Sequence, residues 1–510
     1  MTSILVSSDF ASALPRAGAT LRRMTRSAYA PATLVFLVYG VWLLAMLGSG
    51  HDARDFIHMG RRYVFAPHTV PLIKPDPKYQ YSTTSDGYDG QFAYYIAVAP
   101  VDARLHLDRV NYRYTRIVYP MTARLLSLGH AELVPYALIV INWFAIPAGT
   151  YIIALWLRRR GISPWFALVY GLSPGLFVCL QRDLEEPLAY ALVALAIFVY
   201  SSQEFPTRSG EANQAKGTQP DGRAVDDHGG VGGTARRPFP TSRLVDIGRY
   251  LGRGSAHLVP REHRRALGSG IVFAVAVLTR ESMAIFPLVL ALASCFAIGS
   301  AVPAARRDRL RGAAFLLVPA LLPFLLYKAF LLYWLSSNTD AIPPALLPRF
   351  VPFSGLISYY PWRNHQVEVI IGVVAPSLIC AAMGVWAIWK RRASPEVWLL
   401  LANVLVFVVM LNRLSYENIY AAGRIATGVM LTALLCIPTF DPLTGRDRLW
   451  LSISALLWIL PWPILASFVE EVPLTRALLL ELAIALVLWA VAEGGWRAVH
   501  TITALRSQAP

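Results

Sequence analysis

The sequence predicts an all-α, polytopic integral membrane protein of about 12 transmembrane helices. Three observations carry this reading. Several apolar runs reach about 18 residues or more, long enough to cross a bilayer as a helix. Only 15% of the residues are charged, against about a quarter in ordinary soluble domains. The mean hydropathy is +0.47.

Taken in order, spans are predicted near 31–48, 131–157, 163–180, 187–202, 266–279, 283–300, 313–335, 367–389, 397–411, 421–437, 449–468 and 474–493. Before the first of these stand Arg16, Arg22, Arg23 and Arg26, as in a signal peptide. The apolar run that follows is long, and His51-Asp52 comes after it instead of a small-x-small cleavage site, so an uncleaved anchor is expected.

Short loops rich in Lys and Arg stay cytoplasmic. With the N-terminus inside, the inner loops carry Arg158 to Arg160, segment 203–265, Arg306 to Arg311, Lys390 to Arg392, Arg446 to Arg448 and the C-terminus. The outer face then receives 51–130, 181–187, 279–282, 336–366, 412–420 and 470–473. Three units follow: a membrane module over 1–202 with its outer loop at 51–130, a disordered cytoplasmic linker over 203–265, and a second membrane module over 266–510. The linker is rich in Gly, Ser, Pro, Arg, Asp and Gln without periodicity, and it has too little apolar surface to fold.

The formal charge of +16 does not point to nucleic acid. The arginines sit in loops and form no basic face with groove-reading elements. Cys179, Cys295, Cys380 and Cys436 fall singly in apolar runs and read as small core residues. His51, His58, His68, His106 and His130 lack a metal-ligand pattern and read as loop histidines.

Polar chemistry concentrates in DGYDGQFAYYIAVAP, residues 86–100, and in RVNYRYTRIVYPMTARLLSL, residues 109–128. FAYYIAVA and YTRIVYPMTARLL are short and amphipathic, so both are expected to lie along the membrane surface as interfacial helices. A carboxylate held there beside tyrosines and arginines suits a substrate that is half lipid and half polar. The acidic residues Asp86, Asp89, Asp183, Glu185, Glu186, Glu281, Glu368 and Glu417 all fall on the predicted outer face.

An Asp in the first outer loop, followed by a Tyr-Tyr pair and Ile-Ala, resembles the first-loop motif of the GT-C superfamily of polytopic glycosyltransferases. The strings YDGQFAYYIAVAP and YRYTRIVYP are also similar to bacterial membrane proteins of cell-surface glycopolymer formation. The resemblance implies a polyprenyl-phosphate sugar as donor, a glycan or lipid-linked acceptor, and a site outside the bacterial inner membrane. No cofactor is assigned beyond that donor, and a divalent cation stays open. By the same resemblance Asp89 is the general base of an inverting displacement, with Asp86 beside it. Arg113, Arg116, Arg280 and Arg424 are the candidates for the phosphate. Gln91, Tyr94, Tyr95, Arg182, Glu185 and Glu281 join them as substrate-binding candidates.

Each of these residues has a plainer role open to it. Asp86 before Gly87 fits a turn, and Gln91 could hold the loop. Tyr94 and Tyr95 could anchor the interface. Arg280 and Arg116 could pair with nearby carboxylates such as Glu281. In QRDLEEP, Asp183, Glu185 and Glu186 could hold a divalent cation, or the segment could start a helix with Pro187 in its first turn. Two other functions stay in view. Pro174, Pro287, Pro319 and Pro323 interrupt spans, as in a secondary transporter or flippase. Arg349, Arg363 and His365 in a late outer loop suit a glycopolymer ligase or polymerase of another membrane fold.

Overall fold

A computed structural model describes residues 27–64, 86–201, 263–296, 303–335, 350–362, 364–417 and 419–444. Among these residues the regular elements are helices and no strand occurs. α1 (Tyr29–Gly48) is followed by a loop region that holds α2 (Gly90–Val98) and α3 (Val118–Leu126). α4 (Val134–Arg159) has Pro135 in its first turn and Arg158 and Arg159 in its last, where cations oppose the helix dipole. α5 (Pro174–Gln181) is capped by Ser173, whose side chain accepts from the Leu176 amide at 3.4 Å. α6 (Glu186–Ser201), α7 (Arg264–Thr279), α8 (Ile285–Phe296) and α9 (Pro303–Trp334) follow, then α10 (Ala375–Trp389), α11 (Pro395–Val404), α12 (Ile419–Ile425) and α13 (Thr427–Thr444).

Four stretches are long and apolar enough to cross a membrane: Tyr29–Gly48, Ala131–Arg159, Arg306–Trp334 and His365–Trp389. The number rises to six if each of two bent pairs, Pro164–Gly171 with α5 and α12 with Thr427–Phe440, is one span. The expected twelve are not reached among the described residues. α6 and α7 have 16 residues each, about 24 Å at the rise of an α-helix, against a hydrocarbon core of about 30 Å. The predicted spans 449–468 and 474–493 lie outside the described residues, as does the expected linker up to residue 262. The last residues of that linker, from Arg264 onward, begin α7 instead.

α7 packs between α6 and α9, α4 packs on α1 and α6, and α11 on α8, α10 and α13. The main core fills between them, from Val35 and Tyr39 through Phe273 and Phe286 to Met430 and Phe440. Tyr39 donates to the Gly171 carbonyl at 2.8 Å, which ties α1 to the first bent pair. The two bent pairs meet at glycine: a Cβ on Gly175 would stand 2.5 Å from the Gly423 carbonyl oxygen.

The first loop has a core of its own. Ile57, Met59, Phe92, Tyr95, Tyr114 and Tyr119 pack against Val134 and Leu138 of α4 and Leu331 of α9. Lys328 of α9 donates to Asn111 at 2.7 Å, and Tyr327 to the Tyr114 carbonyl at 3.0 Å. This corrects the expectation of two surface helices. α2 is buried along most of its length, including Phe92, Tyr94, Tyr95, Ile96 and Ala97. α3 fits the expectation better. Met121, Leu125 and Leu126 are 38%, 74% and 56% exposed, while Arg124 on the inner side donates to the Ala97 and Val98 carbonyls. An outward apolar stripe on a short helix is what a membrane surface accepts.

Chain direction places the polar residues. α5 and α7 end where α4, α6 and α13 begin, and Arg113, Arg182, Glu185, Arg280 and Arg424 gather at that end. Arg160 and Glu396 pair at 3.3 Å at the opposite end of α4.

Candidate functional site

Asp89 lies one residue before α2, in a turn shaped by Gly87 with φ +65°. Gly90 is needed beside it, because a Cβ there would stand 2.1 Å from the Arg182 carbonyl oxygen. The Asp89 side chain is 27% exposed. Oδ1 accepts from Arg113 Nη2 at 3.0 Å and Oδ2 from Arg424 Nη2 at 3.1 Å.

From these contacts a chain of alternating charge runs across the end of the bundle. Arg113 also binds Asp108, through Nε at 2.7 Å and Nη2 at 2.8 Å, and stacks on Phe92. Arg424 Nη1 lies 3.7 Å from Glu186 Oε1. Glu186, with no exposed surface, meets Arg280 Nη1 at 2.6 Å, an ionic contact without hydrogen-bond alignment. Arg280 Nη1 also donates to Glu185 at 2.9 Å. Glu185 accepts from Arg116 Nη1 at 2.5 Å. Arg116 closes the chain with a two-pronged contact to Glu281 at 3.0 and 2.9 Å, and it donates to the Tyr112 hydroxyl. Thus four guanidiniums alternate with five carboxylates.

Burial alone would raise the Asp89 carboxyl, but Arg113 and Arg424, with Arg116 behind them, outweigh it. They hold the group well below the usual carboxylate range. Asp89, Arg113, Arg116 and Glu185 form the polar end of a small open cleft, whose walls include Phe92, Ile96 and Pro120. An amphiphile with a charged head and an apolar body matches that lining.

Of the expected residues, Asp89, Arg113, Arg116, Glu185, Arg280, Glu281 and Arg424 are therefore brought together. Arg182 stands at the edge of the group, donating to His58 Nδ1 at 3.0 Å. Asp86 stands apart, on the surface, 3.4 Å from Arg62. Gln91 is fully buried and serves the loop: it accepts from the Gly60 amide at 3.0 Å and donates to the Asp86 carbonyl at 2.6 Å. Tyr94 and Tyr95 are buried in the first-loop core and do not line the cleft.

In QRDLEEP, Glu186 opens α6 with Pro187 behind it. Glu185 and Glu186 face guanidiniums, and among the described residues no group of three or more His, Cys, Asp or Glu is placed to hold a metal ion. The sequence reading missed Asp108, Tyr112 and His58. Asp108 had a weak signal in its spacing of five residues from Arg113, while His58 had none.

Asp183 is different from its neighbours. It is fully buried, and neither carboxyl oxygen has a hydrogen-bond partner among the described residues. Burial raises its carboxyl well above the usual range. A carboxyl raised in the folded state penalises folding as pH climbs past its unfolded value of about 3.9. Asp183→Asn removes that penalty, and Asn suits the left-handed backbone there, φ +50°. The variant's unfolding midpoint in detergent should match the natural chain near pH ~4 and exceed it increasingly above that, toward pH ~8. Parallel midpoints across that range would refute a buried, protonated Asp183.

No protein-family model matches the chain, and neither does any curated protein or solved structure.

Proposed function

We propose that this chain is an integral-membrane glycosyltransferase of GT-C type, acting at the outer face of a bacterial inner membrane. It moves a sugar from a polyprenyl-phosphate donor to a cell-surface glycan or lipid-linked acceptor. The acceptor hydroxyl oxygen attacks the anomeric carbon while the bond from that carbon to the phosphate oxygen breaks. The lipid phosphate leaves with the bonding electrons, and the hydroxyl proton passes to Asp89. Guanidiniums then face the charge that develops on the phosphate.

One observation supports this reading above the rest: an ionised carboxylate between two arginines at the polar end of a cleft with apolar walls. The outward leucines of α3 add a place for the lipid chain at the rim.

A transporter or flippase is the second reading. It is favoured by the two helix pairs bent by 47° and 44° that meet at Gly175 and Gly423 beside Arg424, as broken helices do around a transported anion. Proteoliposomes holding the full chain, a polyprenyl-phosphate sugar and an acceptor separate the two. A new glycosidic bond that requires the chain is the expected result. Movement of the donor across the bilayer without bond formation would replace the enzyme reading by the transporter.

A further inference from the structure

The end of the bundle opposite Asp89 carries a second concentration of charge, and it is nearly all positive. α7 and α9 run side by side, and both start there. His263, just before α7, joins the two starts: its Nε2 lies 3.0 Å from Asp308 Oδ1, and its ring stacks on Phe315 with centroids 5.2 Å apart. Asp308 is the one carboxylate in the first turns of α9, against Arg306, Arg307, Arg309 and Arg311, all of them exposed. Among the described residues no carboxylate lies within ion-pair distance of Arg307 or Arg311.

Helix spacing puts Arg307 and Arg311 on one face of α9, a turn apart, where two like charges repel unless an anion lies between them. Val318, Leu322 and Leu325 continue that face at helical spacing, and all three are exposed. Of the four long spans, α9 buries the smallest share of its apolar length among the described residues. Depth matches as well. At the far end of α9, Tyr327 and Lys328 bond the first loop, and Trp334 meets Tyr114 edge-on at 5.2 Å. A hydrocarbon core takes about 20 helical residues, so counting back from Trp334 it ends near Phe315. Arg311 and Arg307 then stand about one and two turns beyond, at the depth of lipid headgroups. One helical face thus joins two cations at headgroup level to an apolar strip at acyl-chain level.

We propose that Arg307 and Arg311 hold the headgroup of an anionic phospholipid, whose acyl chains lie along Val318, Leu322 and Leu325. Charge complementarity selects this occupant. A phosphodiester between the two guanidinium forks answers their repulsion, whereas a zwitterionic headgroup brings a cation of its own. The lipid belongs to the leaflet opposite Asp89, so it is no substrate of the proposed transfer. The site rests only on α9 crossing a bilayer, and it stands whether or not the chain transfers sugar.

The test uses the full chain in detergent, titrated with phosphatidylglycerol, phosphatidylcholine and inorganic phosphate, with retained lipid counted by native mass spectrometry. Phosphatidylglycerol should bind about tenfold more tightly than phosphatidylcholine or better, and inorganic phosphate should not displace it. Arg307→Gln combined with Arg311→Gln should remove that preference. Without added lipid this double variant should unfold no earlier than the natural chain, since a like-charge repulsion has gone. Arg391→Gln combined with Arg392→Gln is the control. These exposed residues stand between α10 and α11, near the Arg160–Glu396 pair, and their loss removes the same charge from the same end of the bundle. An equal loss of preference in both double variants would mean diffuse attraction to a basic surface and would overturn the site. Equal binding of the two lipids, or an unchanged preference after the Arg307 and Arg311 substitutions, would overturn it too. Displacement by inorganic phosphate would make the ligand a free anion and would likewise reject the lipid.

Discussion

Asp89→Asn is expected to lower sugar transfer by roughly 10²–10⁴-fold, the range for loss of a positioned general base, without unfolding the chain. Asn keeps the size and one acceptor oxygen but cannot take up a proton. The fold survives because both guanidiniums that hold Asp89 have a second carboxylate. Arg113 keeps its contacts to Asp108 at 2.7 and 2.8 Å, and Arg424 keeps Glu186 at 3.7 Å. The chain therefore still folds and reaches the membrane, with an unfolding midpoint lowered by the loss of the carboxylate charge between the two arginines, while transfer is lost. Transfer at the natural rate would remove Asp89 from the chemistry.

The same two arginines decide the pH dependence. A carboxylate whose folded pKa lies below its unfolded value of about 3.9 stabilises the fold above that value. The stabilisation disappears as pH falls through the lower folded value. Asp89 is thus ionised throughout the physiological range, and an acid limb of the transfer rate near neutrality would belong to another group. A carboxylate so acidic is a weak base at rest. On the proposed mechanism, a donor phosphate that draws Arg424 away removes one of the charges that acidify Asp89, and the base strengthens once the donor is bound.

Legibility in the sequence followed the physics of each signal. Apolar runs are local, so most helices among the described residues stand near where hydropathy placed them, such as 31–48 and Tyr29–Gly48. Length was the weaker guide, because α6 and α7 are apolar yet too short to span alone. Asp89 was readable as the centre of the polar cluster, and its partners were readable as a set of arginines at predicted span ends. The pairing itself was not. Arg116 meets Glu281 across 165 residues, and Arg424 meets Asp89 across 335. No local pattern encodes contacts of that separation.

Helix geometry explains why the Tyr-Tyr pair misled. Asp89, Phe92, Ala93 and Ile96 follow the three-and-four spacing of one helical face, and that face lines the cleft. Gln91, Tyr94 and Tyr95 fall on the opposite face, toward the first-loop core. Adjacency in a motif therefore suggested a shared site where the helical turn separates the residues.

Arg280→Met should cost the most stability of any single change in the network, about 3–5 kcal/mol, the penalty for leaving a buried charge without its partner. Glu186 is the reason. It has no exposed surface, Arg280 stands 2.6 Å from it, and its other cation, Arg424, is at 3.7 Å. Glu185 suffers less, because Arg116 still donates to it at 2.5 Å. Adding Glu186→Gln to Arg280→Met removes the stranded charge, so the double variant should recover much of the loss, and a double-mutant cycle measures the coupling. The surface pair supplies the contrast. Arg62 and Asp86 are 3.4 Å apart with side chains 68% and 64% exposed, and Asp86→Ala should cost no more than about 1 kcal/mol. Unfolding midpoints in one detergent rank all four variants. An Arg280→Met midpoint no lower than that of Asp86→Ala would mean that water or another cation reaches Glu186, and the network would lose its claim to hold this end of the bundle together.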